Sequence, residues 1–173
     1  MPQIQTQVDL QPHNTLAVPA RAAYYAALTD MAELPDLLAF ARQRELPLMP
    51  LGGGSNLVLR DSFPGLVLHV QLRGLELVKE DEDHAWFKVA AGENWHQLVL
   101  DSLARGYSGL ENLSLIPGSV GAAPIQNIGA YGVELQDVFE ELQAVELASG
   151  ETHQFSKADC QFAYRDSIFK HQL

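Results

Sequence analysis

Two glycine-rich segments hold the residues whose types and spacing could do chemistry. The first, Gly52-Gly53-Gly54-Ser55-Asn56, directly follows an apolar stretch. Consecutive glycines reach positive φ without steric cost and let backbone N–H groups come close to a ligand, as pyrophosphate binding demands. Ser55 and Asn56 add side-chain donors. The run is not a Walker loop, since no Gly-Lys-Ser/Thr is present, and it does not open a helix as a dinucleotide fingerprint does. A tight turn and a phosphate cradle are both open readings of it. The second segment is Ile116-Pro117-Gly118-Ser119-Val120-Gly121-Ala122-Ala123-Pro124-Ile125-Gln126-Asn127-Ile128-Gly129-Ala130-Tyr131-Gly132. A loop so rich in Gly and Pro implies close backbone approach to something flat or bulky, and long loops inside compact domains are usually functional. Two such segments from separate halves of the chain point to a cofactor bound in the crevice between them.

Other reactive side chains are sparse. The six histidines (13, 69, 84, 96, 153 and 171) show no His-x-x-x-His or carboxylate pairing, so no metal site is expected. Cys160 is the single cysteine, which leaves no disulfide framework and reads as a small buried hydrophobe. Trp86 and Trp95 read as core residues rather than stacking platforms. The formal net charge of −11 argues against a nucleic-acid or anionic-membrane partner, because those need a basic stripe. It leaves room for a phosphate held by backbone amides and one or two arginines. No apolar run approaches the roughly 20 residues that span a bilayer. The N-terminal residues lack the basic start and apolar run of a secretory signal, so a cytoplasmic location is expected.

The elements that must position these loops follow from periodicity. Strands are expected at 22–28, 48–51, 57–59, 67–70, 75–78 and 86–90, with an acidic loop at 80–83. Asp30 with Glu33 reads as a capping box ahead of Leu34, Leu37, Leu38 and Ala41, and Pro47 limits that helix. Asn94 with Gln97 reads as a second box, followed by an apolar face of Trp95, Leu98, Val99 and Leu103 and by Gly106 as a C′ residue. A hairpin is expected over 142–147 and 152–155 around Ser149-Gly150, then a helical turn from Ser156 with Asp159. The pattern is α+β in two layers. It divides near Arg73-Gly74 into a first part, 1–73, with strand–helix–strand and the glycine-rich loop, and a second, 74–173.

Five motifs in order make the sequence resemble the UDP-N-acetylenolpyruvoylglucosamine reductases. They are Gly52 to Asn56, Gly92-Glu93-Asn94-Trp95, Gly109-Leu110-Glu111-Asn112-Leu113, the run 116–132, and Tyr164-Arg165-Asp166-Ser167-Ile168-Phe169-Lys170. Together they cover nearly the whole chain. The resemblance implies the FAD-binding fold of vanillyl-alcohol oxidase-like enzymes, with two α/β subdomains clasping a non-covalent FAD. It implies that NADPH reduces the flavin and that the enolpyruvyl group of a UDP-sugar is then reduced, giving UDP-N-acetylmuramate for peptidoglycan. It places FAD against Gly52, Gly53, Gly54, Ser55 and Asn56, and against Ile116, Pro117, Gly118, Ser119, Gly121, Ala122, Ala123, Ile125, Asn127, Gly129, Ala130 and Gly132. It places substrate against Gln126, Tyr131, Tyr164 and Arg165, with Arg165 as the catalytic arginine. A fixed cation there would stabilise the charge pushed onto the substrate carboxylate as hydride adds to the alkene. A salt bridge between Arg165 and Asp166 is the plainer reading of the same residue.

The sequence departs from the family at its end. Complete members continue past the tyrosine–arginine motif, and their proton-donor serine and late catalytic glutamate have no match here. Lys170-His171-Gln172-Leu173 carries no stop signal, so the chain reads as interrupted, with the second subdomain incomplete and little reductase activity expected. Two other readings compete: a fragment that holds FAD without turnover, and another flavin oxidoreductase of the same fold.

Overall fold

Strand formation begins earlier than the apolar pattern indicates. In the computed structural model, which describes residues 2–171, β1 (Gln5–Asp9) forms an edge and pairs antiparallel with β2 (Arg21–Leu28). Its residues are mostly exposed, which is why hydropathy does not mark it. Helix α1 (Leu34–Gln43) and β3 (Leu48–Leu51) follow, and β4 (Phe63–Val70) inserts between β2 and β3 in parallel with both. The sheet order is β1-β2-β4-β3. β4 is buried from Gly65 to Leu68, as expected for a parallel strand covered on both faces.

Leu57 to Leu59 do not form the expected strand. β4 fills the place beside β3 instead, and these residues belong to no ladder, with Leu59 buried and Val58 exposed.

Two layers cover the sheet. On one face α1 lays Leu34, Leu37, Leu38 and Ala41 against Ala26, Leu28, Leu66 and Leu68. The other face joins Leu10, Ala22, Tyr25, Leu51, Leu59 and Val67. Ala22 and Tyr25 share that face although they are three apart, because the β2–β4 register shifts between Ala22 and Tyr24. Two steps along β2 there match three along β4, with Ala22 beside Phe63 and Tyr24 beside Leu66, so the extra residue lies in β4 and the faces of β2 change across the irregularity. Asp30 caps the 3-10 turn that leads into α1 by accepting from Ala32 N at 2.9 Å, a different contact from the expected capping box.

The later half is richer in hairpins. β5 (Leu75–Glu80) pairs with β6 (Ala85–Val89), and the acidic loop forms their turn. Helix α2 (Trp95–Ala104) is capped by Asn94, whose Oδ1 accepts from Gln97 N at 2.9 Å. The Gln97 side chain donates forward to Asp101, so the second box is half formed. Trp95, Leu98 and Val99 build a third core cluster with Leu113, Ala123, Ile128 and Leu135. Leu103 is largely exposed, and Ser102 takes the buried position by donating to Val99 O. Short strands β7 (Gly129–Ala130) and β8 (Val133–Glu134) pair antiparallel, and β9 (Glu141–Val145) with β10 (Thr152–Ser156) makes the expected hairpin. Arg42 of α1 donates to the carbonyls of Leu147 and Ala148 in that hairpin's turn. Cys160 is fully buried, and burial foremost, with the Asp159 charge, pushes its thiol up to about 11.

At the carboxyl end of the second layer Tyr25 Oη lies 2.6 Å and Gln71 Nε2 3.1 Å from His69 Nδ1. An amide nitrogen only donates, so Nδ1 accepts and the proton sits on Nε2. Burial foremost, then the charges of His13 and Arg73, holds the His69 imidazole below its ordinary value. Unfolding returns it to about 6.5, so the unfolded chain takes up a proton that the folded chain resists. This contribution to stability is complete above that value and is lost as pH falls through the folded one. Between about pH 7 and pH 5 the urea midpoint of His69→Gln should therefore decline less steeply than that of the wild type; parallel declines would rule the mechanism out.

Candidate functional site

The parallel strands β2, β3 and β4 direct their carboxyl ends to one side, the side on which open α/β sheets bind ligands. Residues 52–56 follow β3 there without a break. Gly54 has φ +64°, and a Cβ at this position would be driven into the His13 carbonyl. Thr15 N donates to Gly54 O at 3.1 Å. The turn beneath is tied by Asn14, whose buried amide donates to Leu10 O and Val18 O and accepts from Val18 N.

The segment 116–132 is not one irregular loop. It contains a 3-10 turn, Val120–Gln126, and ends in β7. The start of α2 anchors its first residues: Trp95 N donates to Gly118 O, and Val120 N to Glu93 O. The Glu93 carboxylate also accepts from Gly74 N at 2.7 Å and Arg73 Nη1 at 3.1 Å. Glu93 thereby fastens the connection after the first sheet to the second glycine-rich segment.

The two segments meet. A Cβ on Gly53 would lie 3.3 Å from Gly118 Cα, and one on Gly52 would lie 2.6 Å from Ser119 Oγ. Asn56 Nδ2 donates to Gln126 Oε1 at 3.3 Å. Among the described residues, the backbone N–H groups of Gly53, Gly54, Ser55, Asn56 and Gly118 donate to no protein acceptor. A row of uncommitted amides beside a glycine-lined contact is an anion-binding arrangement that needs no cationic side chain.

The remaining residues singled out from sequence sort by direction. Gly121, Ala122, Ile125, Tyr131 and Gly132 are exposed, and Ile116, Gln126 and Ala130 are half-buried. Ser119, Ala123, Asn127 and Gly129 are buried in the support. Gly121 is pressed on Ala91, where a Cβ would stand 2.6 Å from that side chain. Pro117 is exposed at the turn before Gly118.

Tyr164 and Arg165 form the tip of a tight turn whose flanking residues, Ala163 and Asp166, exchange both backbone hydrogen bonds at 3.1 Å. Arg165 has φ +54° and donates from Nη2 to Gly129 O at 2.5 Å. It makes no salt bridge with Asp166 or another acid among the described residues. Asp166 instead pairs with His171 at 2.8 Å, and that bond foremost holds its carboxyl below the usual carboxylate range. Leu115, Asn127, Tyr131 and Arg165 all take left-handed backbone here. Such conformations cost about 1–3 kcal/mol each and gather where a site demands a fixed shape. Tyr131 is 87% and Tyr164 82% exposed, and the Arg165 guanidinium carbon lies 5.9 Å from the centre of the Tyr164 ring.

Asn14, which sequence reasoning passed over, and Glu93, to which it gave no role, hold the loops from below, and the His13 carbonyl closes on Gly54. Trp95 is core, with Nε1 donating to Leu113 O; Trp86 is only half-buried and lies under Lys79 on the β5–β6 hairpin. Among the described residues no three His, Cys, Asp or Glu gather as a metal site, and no helix is long and apolar enough to cross a membrane.

A family model described as an FAD binding domain matches residues 22–156. The chain belongs to this FAD-binding domain family. Curated relatives agree with the motif resemblance: the UDP-N-acetylenolpyruvoylglucosamine reductase of Chromobacterium violaceum is 52% identical over 98% of this chain and 50% of its own length. Those of Pseudomonas fluorescens and Azoarcus sp. are 50% and 54% identical, over 98% and 96% of this chain and 50% and 49% of theirs. The chain thus spans about half the length of the curated relatives it matches. Among solved structures it resembles UDP-N-acetylenolpyruvylglucosamine reductase (MurB) from Thermus caldophilus, with TM-score 0.72 and 31% identity over 96% of this chain and 57% of that one. A solvent-stable cholesterol oxidase shares the fold at TM-score 0.64 and 15% identity, over 82% of this chain and 31% of that one. The α+β expectation of a vanillyl-alcohol oxidase-like FAD-binding fold is borne out.

The packing distinguishes two glycines of positive φ. A Cβ on Gly132 (φ +81°) would meet nothing within 4 Å, whereas one on Gly54 strikes backbone. Gly132→Ala should cost only left-handed strain, about 1–2 kcal/mol. Gly54→Ala adds overpacking of about 1–3 kcal/mol. Urea unfolding that finds equal losses would show the close approach at Gly54 to be unimportant.

Proposed function

We propose that this chain supplies the FAD-binding half of an NADPH-linked enzyme reducing UDP-N-acetylenolpyruvoylglucosamine to UDP-N-acetylmuramate, for peptidoglycan precursors in the cytoplasm. The observation that carries the proposal is the row of uncommitted amides at residues 53–56 in contact with Gly118. That donor set fits a pyrophosphate: it is neutral, preorganised and placed in a chain of net charge −11 that would otherwise repel the ligand. Bound there, FAD would supply the reducing equivalents drawn from NADPH.

In this reading residues 1–73 and 74–173 are the two lobes that clasp the cofactor. Gly53, Gly54, Ser55 and Asn56 hold the phosphates, and the outward residues of the second segment, Gly121, Ala122 and Ile125, form the facing wall. Tyr131 and Tyr164 offer apolar faces to the UDP-sugar. Arg165 uses one of its five N–H donors on Gly129 O and keeps the others for a substrate carboxylate. Its fixed charge would lower the cost of the negative charge that develops there.

The chain's half-length match favours FAD binding without efficient turnover when residues 1–173 act alone. A positioned general acid contributes about 10²–10⁴-fold, and residues 1–173 offer no match to the relatives' proton donor. Two measurements on the purified chain address this. Its visible spectrum, with added FAD if needed, should show oxidised-flavin bands, and heat should release about one FAD per chain. Its rate with NADPH and the enolpyruvyl sugar should lie at least about 100-fold below that of a full-length relative. A chain that takes up no FAD would overturn the cofactor reading, and full-rate turnover would overturn the division of labour.

A further inference from the structure

Asn127 matches a family position expected to face FAD, yet its side chain has no atom left for a ligand. It is 0% exposed. Its Nδ2 donates to Glu134 Oε2 at 2.9 Å and to Ala163 O at 3.0 Å, and its Oδ1 accepts from Gln136 N at 3.0 Å. Two donor hydrogens and the acceptor are all engaged within the protein.

The residue type answers two demands at once. Asn127 ends the 3-10 turn Val120–Gln126 with φ +42°, a conformation that Gly and Asn tolerate best. Glycine would meet the backbone demand and lose all three side-chain bonds. Aspartate would keep the acceptor, lose both donors and set a second carboxylate against Glu134. Only the amide meets both.

The bond to Ala163 O matters because Ala163 opens the turn that carries Arg165. Two further bonds join the same pair of segments: Ser167 Oγ donates to Ile125 O at 2.7 Å, and Arg165 Nη2 to Gly129 O. Asn127 lies between Ile125 and Gly129 and is the one of these three loop residues that reaches across with its own side chain. We infer that Asn127 is a positioning residue that fixes the Ala163–Asp166 turn and hence the direction of the Arg165 guanidinium, rather than a ligand of the cofactor. Its consequence for reactivity rests on the role proposed above for Arg165, but the positioning itself does not.

The test compares wild type, Asn127→Asp and Asn127→Gly in the purified 173-residue chain. Amide hydrogen exchange is read at Ala163 and Asp166, with β4 as an internal reference. The side-chain N–H resonance of Arg165, assigned by its loss in Arg165→Lys, reports the guanidinium. FAD affinity is titrated in parallel. Exchange at the turn should accelerate by about tenfold or more in both variants while β4 keeps its protection. The Arg165 resonance should move toward that of free arginine, and FAD affinity should change less than about threefold, the scatter expected of a site not touched. Unchanged exchange and an unmoved Arg165 signal would overturn the inference. So would acceleration shared equally by β4, which would make Asn127 a support of the whole fold. A loss of FAD affinity with the turn unaffected would return Asn127 to the cofactor. If wild type itself binds no FAD, the cofactor reading fails, while exchange and the Arg165 signal still decide the positioning role.

Discussion

Everything in this molecule that bears on function depends on two stretches of backbone lying closer together than side chains permit. At Gly52, Gly53 and Gly118 even one methyl group would crowd the opposite segment. Each stretch is aimed by a different unit: the first by the end of β3, the second by Glu93 and the first turn of α2. The two units pack separate cores, so neither core sets the meeting point alone. Fine adjustment falls to polar ties, the knot of Asn14 under Gly54 and the three contacts of Glu93. Bonds of this kind contribute about 1 kcal/mol each, a small share of stability, yet they fix where the amides point.

Much of this was legible in the residues, for identifiable reasons. α1, α2, β3 and the β9–β10 hairpin announce themselves because burial on one side imposes a period, and Asp30 and Asn94 mark helix starts through chemistry local in sequence. β1 was not legible, since a partly solvated edge strand obeys no hydropathy rule. Leu57–Leu59 misled because alternate leucines can face inward from a connection that has no ladder partner. The register shift between β2 and β4 was also invisible: Ala22, Tyr24, Tyr25 and Ala26 are all apolar, so their string carries no record of a change of face. At the site, glycine clusters signalled where backbone approaches backbone. The contributions of Asn14 and Glu93 are hydrogen bonds to particular carbonyls and amides, and composition holds no trace of those.

The arrangement around Arg165 shows how an exposed cation can be held in direction without an acid beside it. A neighbouring carboxylate would fix the guanidinium but would also neutralise it. A carbonyl at Gly129 orients one edge and leaves the formal charge undiminished for an incoming anion. The left-handed turn beneath it and the buried amide of Asn127 support that orientation without an ion pair, which would weaken with salt.

The staple between Arg42 and the carbonyls of residues 147 and 148 joins positions more than a hundred residues apart, and Val145 and Leu147 pack on the cluster under α1. On the ribosome, α1 emerges long before the hairpin that covers it. At roughly 5–20 residues per second, its outer apolar flank waits about 5–20 s for that cover. Met31, Pro35 and Leu38 border the exposed interval. Until then that flank of the first sheet faces solvent, and the arrival of the hairpin is the event that covers it.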